Sequence, residues 1–420
     1  GDLPSAPAAI QRTLAAGTQF LDGKLKRFSS SSVGPDDATA KKIVNLLRPK
    51  FEMATVAADR RRSRETELTE FVAEQFSALD AAADNQRVLF TGPAGTGKTF
   101  LAVESARREV AAGKQGRLLC FNRFLGKRLA QDLCEVPGLT VSTFHQELLR
   151  LADIRRLPDR AYSEFWSTEL PELAIEALLD DDESATSDFL VIDEVQDLSN
   201  DLYLDVIDLM VTGGLNSGRL LLFGDFERQA IFDKGAGRDL LRARVPHISL
   251  HKLMQNCRNL PRIGYRVNLL SGLKPGYEQF RRSDDGVEPV FVKYKSGTDL
   301  SSLLVEAIRG FKDDGFELDE IVVLSPLKDT STAATTTDPW LRQILKPADG
   351  LPARRGQVLF STIHAFKGLE APAVIVTDLD ESTTFDNFEA LLYVGLTRAT
   401  DRLTAIIETN TLLKALGGIK

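Results

Sequence analysis

Arg87-Val-Leu-Phe-Thr-Gly-Pro-Ala-Gly-Thr-Gly-Lys-Thr99 decides how the rest of the chain is read. Val88 to Phe90 form a short apolar run of the kind that makes a buried strand. Gly92, Pro93, Ala94, Gly95, Thr96, Gly97, Lys98 and Thr99 then fit the phosphate-binding pattern G-x-x-x-x-G-K-[ST]. A helix is expected to follow, with Phe100, Leu101, Val103, Ala106 and Val110 turned inward. Glycines at 92, 95 and 97 let the backbone curl until its N–H groups point at phosphate oxygens. The helix N-terminus adds the positive end of its dipole, Lys98 a full charge, and the Thr99 hydroxyl a ligand for Mg²⁺. The expected cofactors are therefore ATP and Mg²⁺.

Working outward, the pattern before and after this loop is strand–helix alternation, which argues for parallel sheets. Arg117 to Phe121, Leu139 to Ser142, Phe189 to Ile192 and Leu220 to Phe223 read as strands, and Arg123 to Cys134 as a helix. Residues 144–180 read as a small helical insertion. A second α/β unit is expected from 236 to 420, with a helical stripe at Leu300, Leu303, Leu304, Ala307, Ile308 and Phe311. Its strands are expected at Ile321 to Leu324, Val358 to Ser361, Val374 to Thr377 and Leu403 to Ile407. Thr330 to Thr337 reads as a mobile surface loop. Residues 1–65 read as an accessory region with a helix stopped at Pro49, leaving 66–235 as the first α/β unit.

Composition narrows the partners. The net charge of −8 excludes a basic nucleic-acid coat, so any nucleic-acid path must be a local groove. Cys120, Cys134 and Cys257 lack metal-like spacing and suit a reducing cytoplasm, with Cys120 in the core. No apolar run has membrane-spanning length and no signal peptide opens the chain, so no membrane partner is expected. A start at Gly1 rather than Met suggests a trimmed piece of something longer.

The second chemical signal is Val191-Ile-Asp-Glu-Val-Gln-Asp197. An apolar strand delivers Asp193 and Glu194 to its carboxyl end, where open α/β sheets bind ligands. Asp193 suits Mg²⁺, alone or through water, and Glu194 suits orientation or deprotonation of an attacking water.

With its Gln196-Asp197 continuation, this stretch resembles motif II of the UvrD/Rep group of superfamily 1 helicases. Further motifs then stand in the family's order. Gly224-Asp-Phe-Glu-Arg-Gln-Ala-Ile-Phe232 resembles motif III, and Gln255-Asn-Cys-Arg-Asn259 motif IV. Thr362-Ile-His-Ala-Phe-Lys-Gly-Leu-Glu370 resembles motif V, and Tyr393-Val-Gly-Leu-Thr-Arg-Ala399 motif VI. Phe121-Asn122 and Thr143-Phe-His145 match the places of motifs Ia and Ic.

The resemblance implies an α/β fold of two tandem RecA-like P-loop domains with a small N-terminal helical region. It implies ATP hydrolysis at their interface, coupled to movement along single-stranded nucleic acid, DNA in preference to RNA. It assigns Gln229 and Arg258 to the γ-phosphate, Arg398 to an arginine finger, Glu370 to the ribose and the Gly368 backbone to the γ-phosphate. Gln75 is the candidate for reading adenine. Phe121, Asn122, Thr143, His145, Phe232, Thr362 and His364 would line the strand path. Read alone, the two phenylalanines are equally core residues and the two histidines structural ones.

Two departures from the family pattern matter. Cys257 stands where the family carries an adenine-stacking tyrosine, so either adenine is not selected or another group supplies the platform. The stretch from Arg258 to Thr362 is needed for the second sheet itself, leaving no room for the large 2B insertion. This compact form resembles helicase modules that follow a nuclease-related domain, implying a nuclease or other effector domain or partner. An alternative activity is then an ATP-gated sensor that switches such an effector without processive unwinding.

Overall fold

The computed structural model describes residues 76–158, 162–180, 186–226, 236–271, 276–277, 279–381 and 388–417. The accessory region expected over 1–65 lies outside them, as do Gln75, Gln229 and Phe232.

The phosphate-loop stretch becomes β1 (Arg87–Thr91) followed by α1 (Lys98–Ala111). Next come β2 (Gly116–Cys120), α2 (Arg123–Asp132), β3 (Leu139–Thr143) and α3 (Phe144–Leu151). The insertion continues through a π-helical turn (Phe165–Glu169) into α4 (Leu170–Asp180), and the chain returns as β4 (Phe189–Asp193). After helix Asp201–Met210 come β5 (Arg219–Gly224), helix Ala236–Arg244 and β6 (Ser249–Lys252). The six strands form one parallel sheet in the order β3-β2-β4-β5-β1-β6.

The reason lies in the strands themselves. Val88, Leu89 and Phe90, and every residue from Phe189 to Ile192, are apolar and fully buried, so both faces need a cover. Leu89, Ile192 and Leu222 face one core with α3 and α4, while Val88, Phe90, Val191 and Phe223 face another with α1 and α2.

The sequence boundary at 235–236 is displaced by this pairing. Strand β6 lies beside β1, in register from Val88 against Ser249 to Thr91 against Lys252, so 236–252 complete the first sheet. The four-residue β6 has only partly buried side chains or exposed ones, which is why periodicity does not reveal it.

The second unit opens with a two-residue pair, β7 (Gln255–Asn256) and β8 (Gln279–Phe280), around α5 (Pro261–Ser271). Its sheet contains β9 (Val290–Tyr294), β10 (Ile321–Ser325), β11 (Leu345–Pro347), β12 (Val358–Thr362), β13 (Ala371–Leu379) and β14 (Ala399–Glu408). All pairings are parallel, in the order β11-β12-β10-β13-β14-β9. Helix α6 (Leu300–Asp313) buries Leu304, Ile308 and Phe311 against one face, and α5 with α7 (Phe388–Leu396) covers the other.

The Thr/Ala-rich tract is not a loop throughout. Thr332–Thr335 form one helical turn capped by the Ser331 hydroxyl, and the Asp378 carboxylate accepts from the Thr332 hydroxyl. Buried Ala333 fixes the turn, and no periodic signal announces so short an element.

The fold is thus α/β with two parallel six-stranded sheets, consistent with tandem RecA-like domains. No helix among the described residues is long and apolar enough to cross a membrane.

Candidate active site and nucleic-acid path

The phosphate loop leaves β1 and curls before α1, with Gly95 at φ 79° and Gly97 at φ 87°. A side chain at Gly92 would collide with the Leu253 carbonyl, its Cβ falling 2.1 Å from that oxygen. Lys98 is buried and turns back into its own loop, donating to the Gly92 carbonyl at 2.8 Å and the Pro93 carbonyl at 2.9 Å. Burial lowers the Lys98 pKa, against the pull of Asp225, Glu194 and Asp193.

Strand β4 ends at Asp193 and Glu194, both buried. Glu194 takes a left-handed backbone, φ 58°, which a residue with a side chain adopts only when its surroundings hold it there. Its N–H donates to Asp193 Oδ1 at 2.9 Å, and its carbonyl accepts from the Asp197 N–H at 3.0 Å. Its carboxylate accepts from the Gln196 amide, whose own oxygen takes the Asp225 N–H at 3.0 Å. Burial pushes both carboxyls up, but they separate. Asp193, further burdened by the charge of Glu194, is raised to about 6. Glu194 is held below its ordinary range because Lys367, Lys98 and the Gln196 amide outweigh its burial. Glu194 is thus firmly ionised at neutral pH, as a proton acceptor must be.

The donor set suits a divalent cation. Asp193 Oδ2 is buried without a hydrogen-bond partner among the described residues, and the nearby Thr99 hydroxyl favours the ionised form of the same carboxylate. A hard cation takes oxygen ligands of this kind and supplies the positive partner that the buried oxygen lacks.

The second unit meets this site directly. Lys367 Nζ lies 2.6 Å from Asp197 Oδ2 and 3.7 Å from Glu194 Oε2. Tyr393 donates its hydroxyl to Asp225 Oδ2 at 2.8 Å and accepts the Ala94 N–H at 2.5 Å. Tyr277 donates to the Ala94 carbonyl at 2.9 Å, and the Cys257 N–H donates to the Gly95 carbonyl at 2.8 Å. A Cβ on Gly95 would stand 3.1 Å from the Cβ of Arg258, so the motif IV segment rests on the tip of the phosphate loop.

Arg258 is thereby beside the loop, and its Nε pairs with Glu370 Oε2 at 2.5 Å. Arg398 is fully buried. Its donors reach the Val394 carbonyl at 2.8 Å, the Leu369 carbonyl at 3.1 Å and the Thr397 hydroxyl at 2.9 Å. Burial, then the neighbouring Arg258, lowers its pKa to about 10, so it stays charged at neutral pH. Gly368, at φ 84°, packs on Leu125: a Cβ there would come within 2.7 Å of Leu125 Cδ2.

The residues expected on the strand path fall into two kinds. Asn122 and Thr143 spend their side chains on helix caps. Asn122 Oδ1 accepts from the Phe124 and Leu125 N–H groups at 2.9 and 3.0 Å, while its amide donates across to the His364 and Ala365 carbonyls. Thr143 forms a capping box with Gln146 at the start of α3. Thr362 caps the following turn, accepting the Ala365 N–H at 3.0 Å. Phe121 and His364 are exposed.

His145 sits in an aromatic cluster rather than on the surface. Its ring meets Phe121 at 5.0 Å and Trp166 at 5.2 Å, edge to face in both cases. The Tyr203 hydroxyl donates to the Trp166 carbonyl at 3.1 Å and accepts from His145 Nε2 at 3.1 Å.

Burial pushes the His145 pKa down to about 4, so the ring is neutral at neutral pH. Between about 6.5 and 4 the unfolded chain takes up a proton that the folded one refuses. The stability this group contributes is therefore present above pH 6.5 and lost as the pH falls to 4. The full shift is worth up to about 3 kcal/mol. Urea melts at pH 7 and pH 4.5 should show the wild type losing about 1–3 kcal/mol more on acidification than His145→Gln, which keeps a donor but cannot titrate.

Sequence reasoning missed Lys367, Tyr277, Tyr393 and Asp225 as site residues. Lys367 stands inside the motif V stretch and Tyr393 opens motif VI, so their positions were on view without their contacts. Tyr277 lies between elements and carries no local signal.

Two family models, one curated protein and one solved structure are similar to parts of the chain. Residues 75–232 match the family described as "AAA domain", and residues 357–406 match the UvrD-like helicase C-terminal domain. The chain is 25% identical over 277 residues to the ATP-dependent RecD2 DNA helicase of Deinococcus radiodurans. The match covers 66% of this chain and 33% of that protein, so it spans one third of the relative's length. The crystal structure of Arterivirus nonstructural protein 10 (helicase) superposes with a TM-score of 0.39 at 15% identity, covering 78% of this chain and 62% of that one. Residues 75–232 and 357–406 thus resemble a P-loop domain of the kind that binds nucleotides and a UvrD-like helicase C-terminal domain.

Proposed function

We propose that the chain is an ATP-driven translocase on single-stranded nucleic acid, DNA in preference to RNA, whose hydrolysis at the junction of the two sheets is coupled to strand binding. One observation carries the reading: the motif V turn joins both sites. His364 and Ala365 are tied to the Asn122 cap, and Lys367, on the same turn, is tied to Asp197 and lies beside Glu194. A strand resting on this turn acts on the environment of the catalytic carboxylate within three residues.

In this reading Gly92 to Thr99 cradle the ATP phosphates, with Lys98 as their fixed charge. Thr99 and Asp193 hold Mg²⁺, which neutralises charge on the phosphates. Glu194 orients and deprotonates water. Gln229, Arg258 and Arg398 serve the γ-phosphate, Gly368 and Glu370 the nucleotide's far side, and Gln75 the base. Phe121, His145 and Phe232 offer rings, and Asn122, Thr143, Thr362 and His364 polar groups, to the strand.

A second reading, an ATP-gated sensor that switches a nuclease or other effector, has the compact second unit in its favour. Between Arg258 and Thr362 the described residues form sheet strands and the helices that cover them. Displacement of streptavidin from a biotinylated oligonucleotide separates the two. ATP-dependent displacement from one end supports the translocase. Strand-stimulated hydrolysis without displacement from either end would contradict it and favour the sensor.

A further inference from the structure

A cleft of about 730 Å³ opens between the two units, away from the phosphate loop. Its first wall is Arg123 and Lys127 on α2, Ser142 at the end of β3 and Gln146 on α3; Asp349, just after β11, closes it from the second unit. Asn122 and Thr143, which cap α2 and α3, lie next to these residues in the chain.

The polar groups of this cleft are unevenly matched. Exposed Arg123 makes no ion pair among the described residues. Ser142 Oγ is buried and lacks a hydrogen-bond partner there. Lys127 is engaged, but only by the opposite wall: its Nζ lies 3.0 Å from Asp349 Oδ2 and 3.1 Å from the Asp349 carbonyl. Both partners are largely exposed, at 46% and 62% of the side chain. Such an ion pair stabilises little and is screened by salt, so it yields readily to a stronger anion. Beside it the walls are pressed together: a Cβ on Gly350, at φ 89°, would stand 2.9 Å from the Phe124 Cα.

We infer that this cleft is a backbone-phosphate site for the single strand, and that the Asp349 carboxylate occupies the Lys127 subsite until a phosphate displaces it. The inference rests on the translocase reading and deepens it. Arg123 and Lys127 lie four residues apart on α2, hence on one helix face, and supply paired cations without base specificity. Ser142 and Gln146 line the same cleft with neutral polar groups. Because Lys127 and Asp349 belong to different units, strand entry exchanges an inter-unit ion pair for a phosphate contact, so it loosens the junction where it binds.

Fluorescence anisotropy of a labelled oligothymidylate, titrated with the full chain over a series of salt concentrations, tests this. Lys127→Ala should weaken binding and reduce the slope of log K against log salt by about 1, one phosphate contact. Asp349→Asn should do the opposite to affinity, tightening it about two- to fivefold, because the competitor is gone. Thermal melting of both variants guards against misfolding; an exposed pair of this kind should move the midpoint little. Wild-type affinity and slope in both folded variants would overturn the inference while leaving the translocase reading standing. Weaker binding by Asp349→Asn would overturn the displacement role. Failure of the wild type itself to bind would overturn both, and is distinguishable from the other outcomes.

Discussion

Glu194→Gln is expected to lower turnover of ATP by about 10²- to 10⁴-fold while leaving nucleotide affinity close to that of the wild type. The substitution removes the negative charge beside Lys367 and Lys98, and with it the ability to accept a proton. Gln has nearly the shape of Glu, and the left-handed backbone at 194 is held by its own N–H donating to Asp193 Oδ1 and its carbonyl accepting the Asp197 N–H, both of which the substitution keeps. The environment explains why the effect should be so large. Glu194 is buried, yet Lys367, Lys98 and Gln196 hold it ionised against that burial. Removing it leaves Asp193, whose buried Oδ2, without a hydrogen-bond partner among the described residues, suits a cation. Single-turnover kinetics with a fluorescent ATP analogue separate binding from hydrolysis. Turnover within a few-fold of wild type would remove Glu194 from the reaction.

Lys98→Ala should lower kcat/KM by about 10²- to 10³-fold, and unlike Glu194→Gln it should weaken nucleotide binding as well. Lys98 is the buried cation of the loop, and its two hydrogen bonds go to the Gly92 and Pro93 carbonyls, that is, to the loop itself. It therefore shapes the cradle and charges it. Burial lowers its pKa, while Asp225, Glu194 and Asp193 around it favour the charged form. Loss of both functions affects ground state and transition state together, so KM and kcat both change. Isothermal titration with a non-hydrolysable ATP analogue, beside steady-state rates, measures the two parts. Unchanged nucleotide affinity would show that phosphate binding does not depend on this charge.

A residue's role is legible in the sequence when it follows from its neighbours in the chain. The phosphate loop, β4 with its terminal carboxylates and the helical stripe at Leu300 to Phe311 are local patterns, and each appears where the pattern put it. Strand β6 was unreadable because its four residues are only partly covered at one end of the sheet and show no alternation. It pairs with β1 through contacts that no short window contains. The turn at Thr332–Thr335 escaped for a related reason: one helical turn carries no periodicity, and its anchor, Asp378, is remote in sequence.

The site divides in the same way. Asp193 and Glu194 could be read from a strand ending in acid. That Lys367 reaches Asp197 and that Tyr277 and Tyr393 hold Ala94 depend on two units meeting in space, which no stretch of either unit encodes alone. The strand-path residues show the opposite limit. The resemblance assigns Asn122 and Thr143 to the strand path, yet their side-chain oxygens cap helices, and His145 is a neutral ring packed against Trp166 and Tyr203. A polar residue at a helix start serves the helix first, whatever else passes over it.

In a translocase of this kind, ATP hydrolysis must answer to a single strand. The steady-state ATPase rate of the full chain, alone and with single-stranded DNA, single-stranded RNA or duplex DNA, at low and high salt, puts that dependence to the test. Marked stimulation by single strands is expected, DNA above RNA, fading at high salt as phosphate contacts are lost. A rate indifferent to every nucleic acid at both salt concentrations would contradict the coupling of hydrolysis to strand binding.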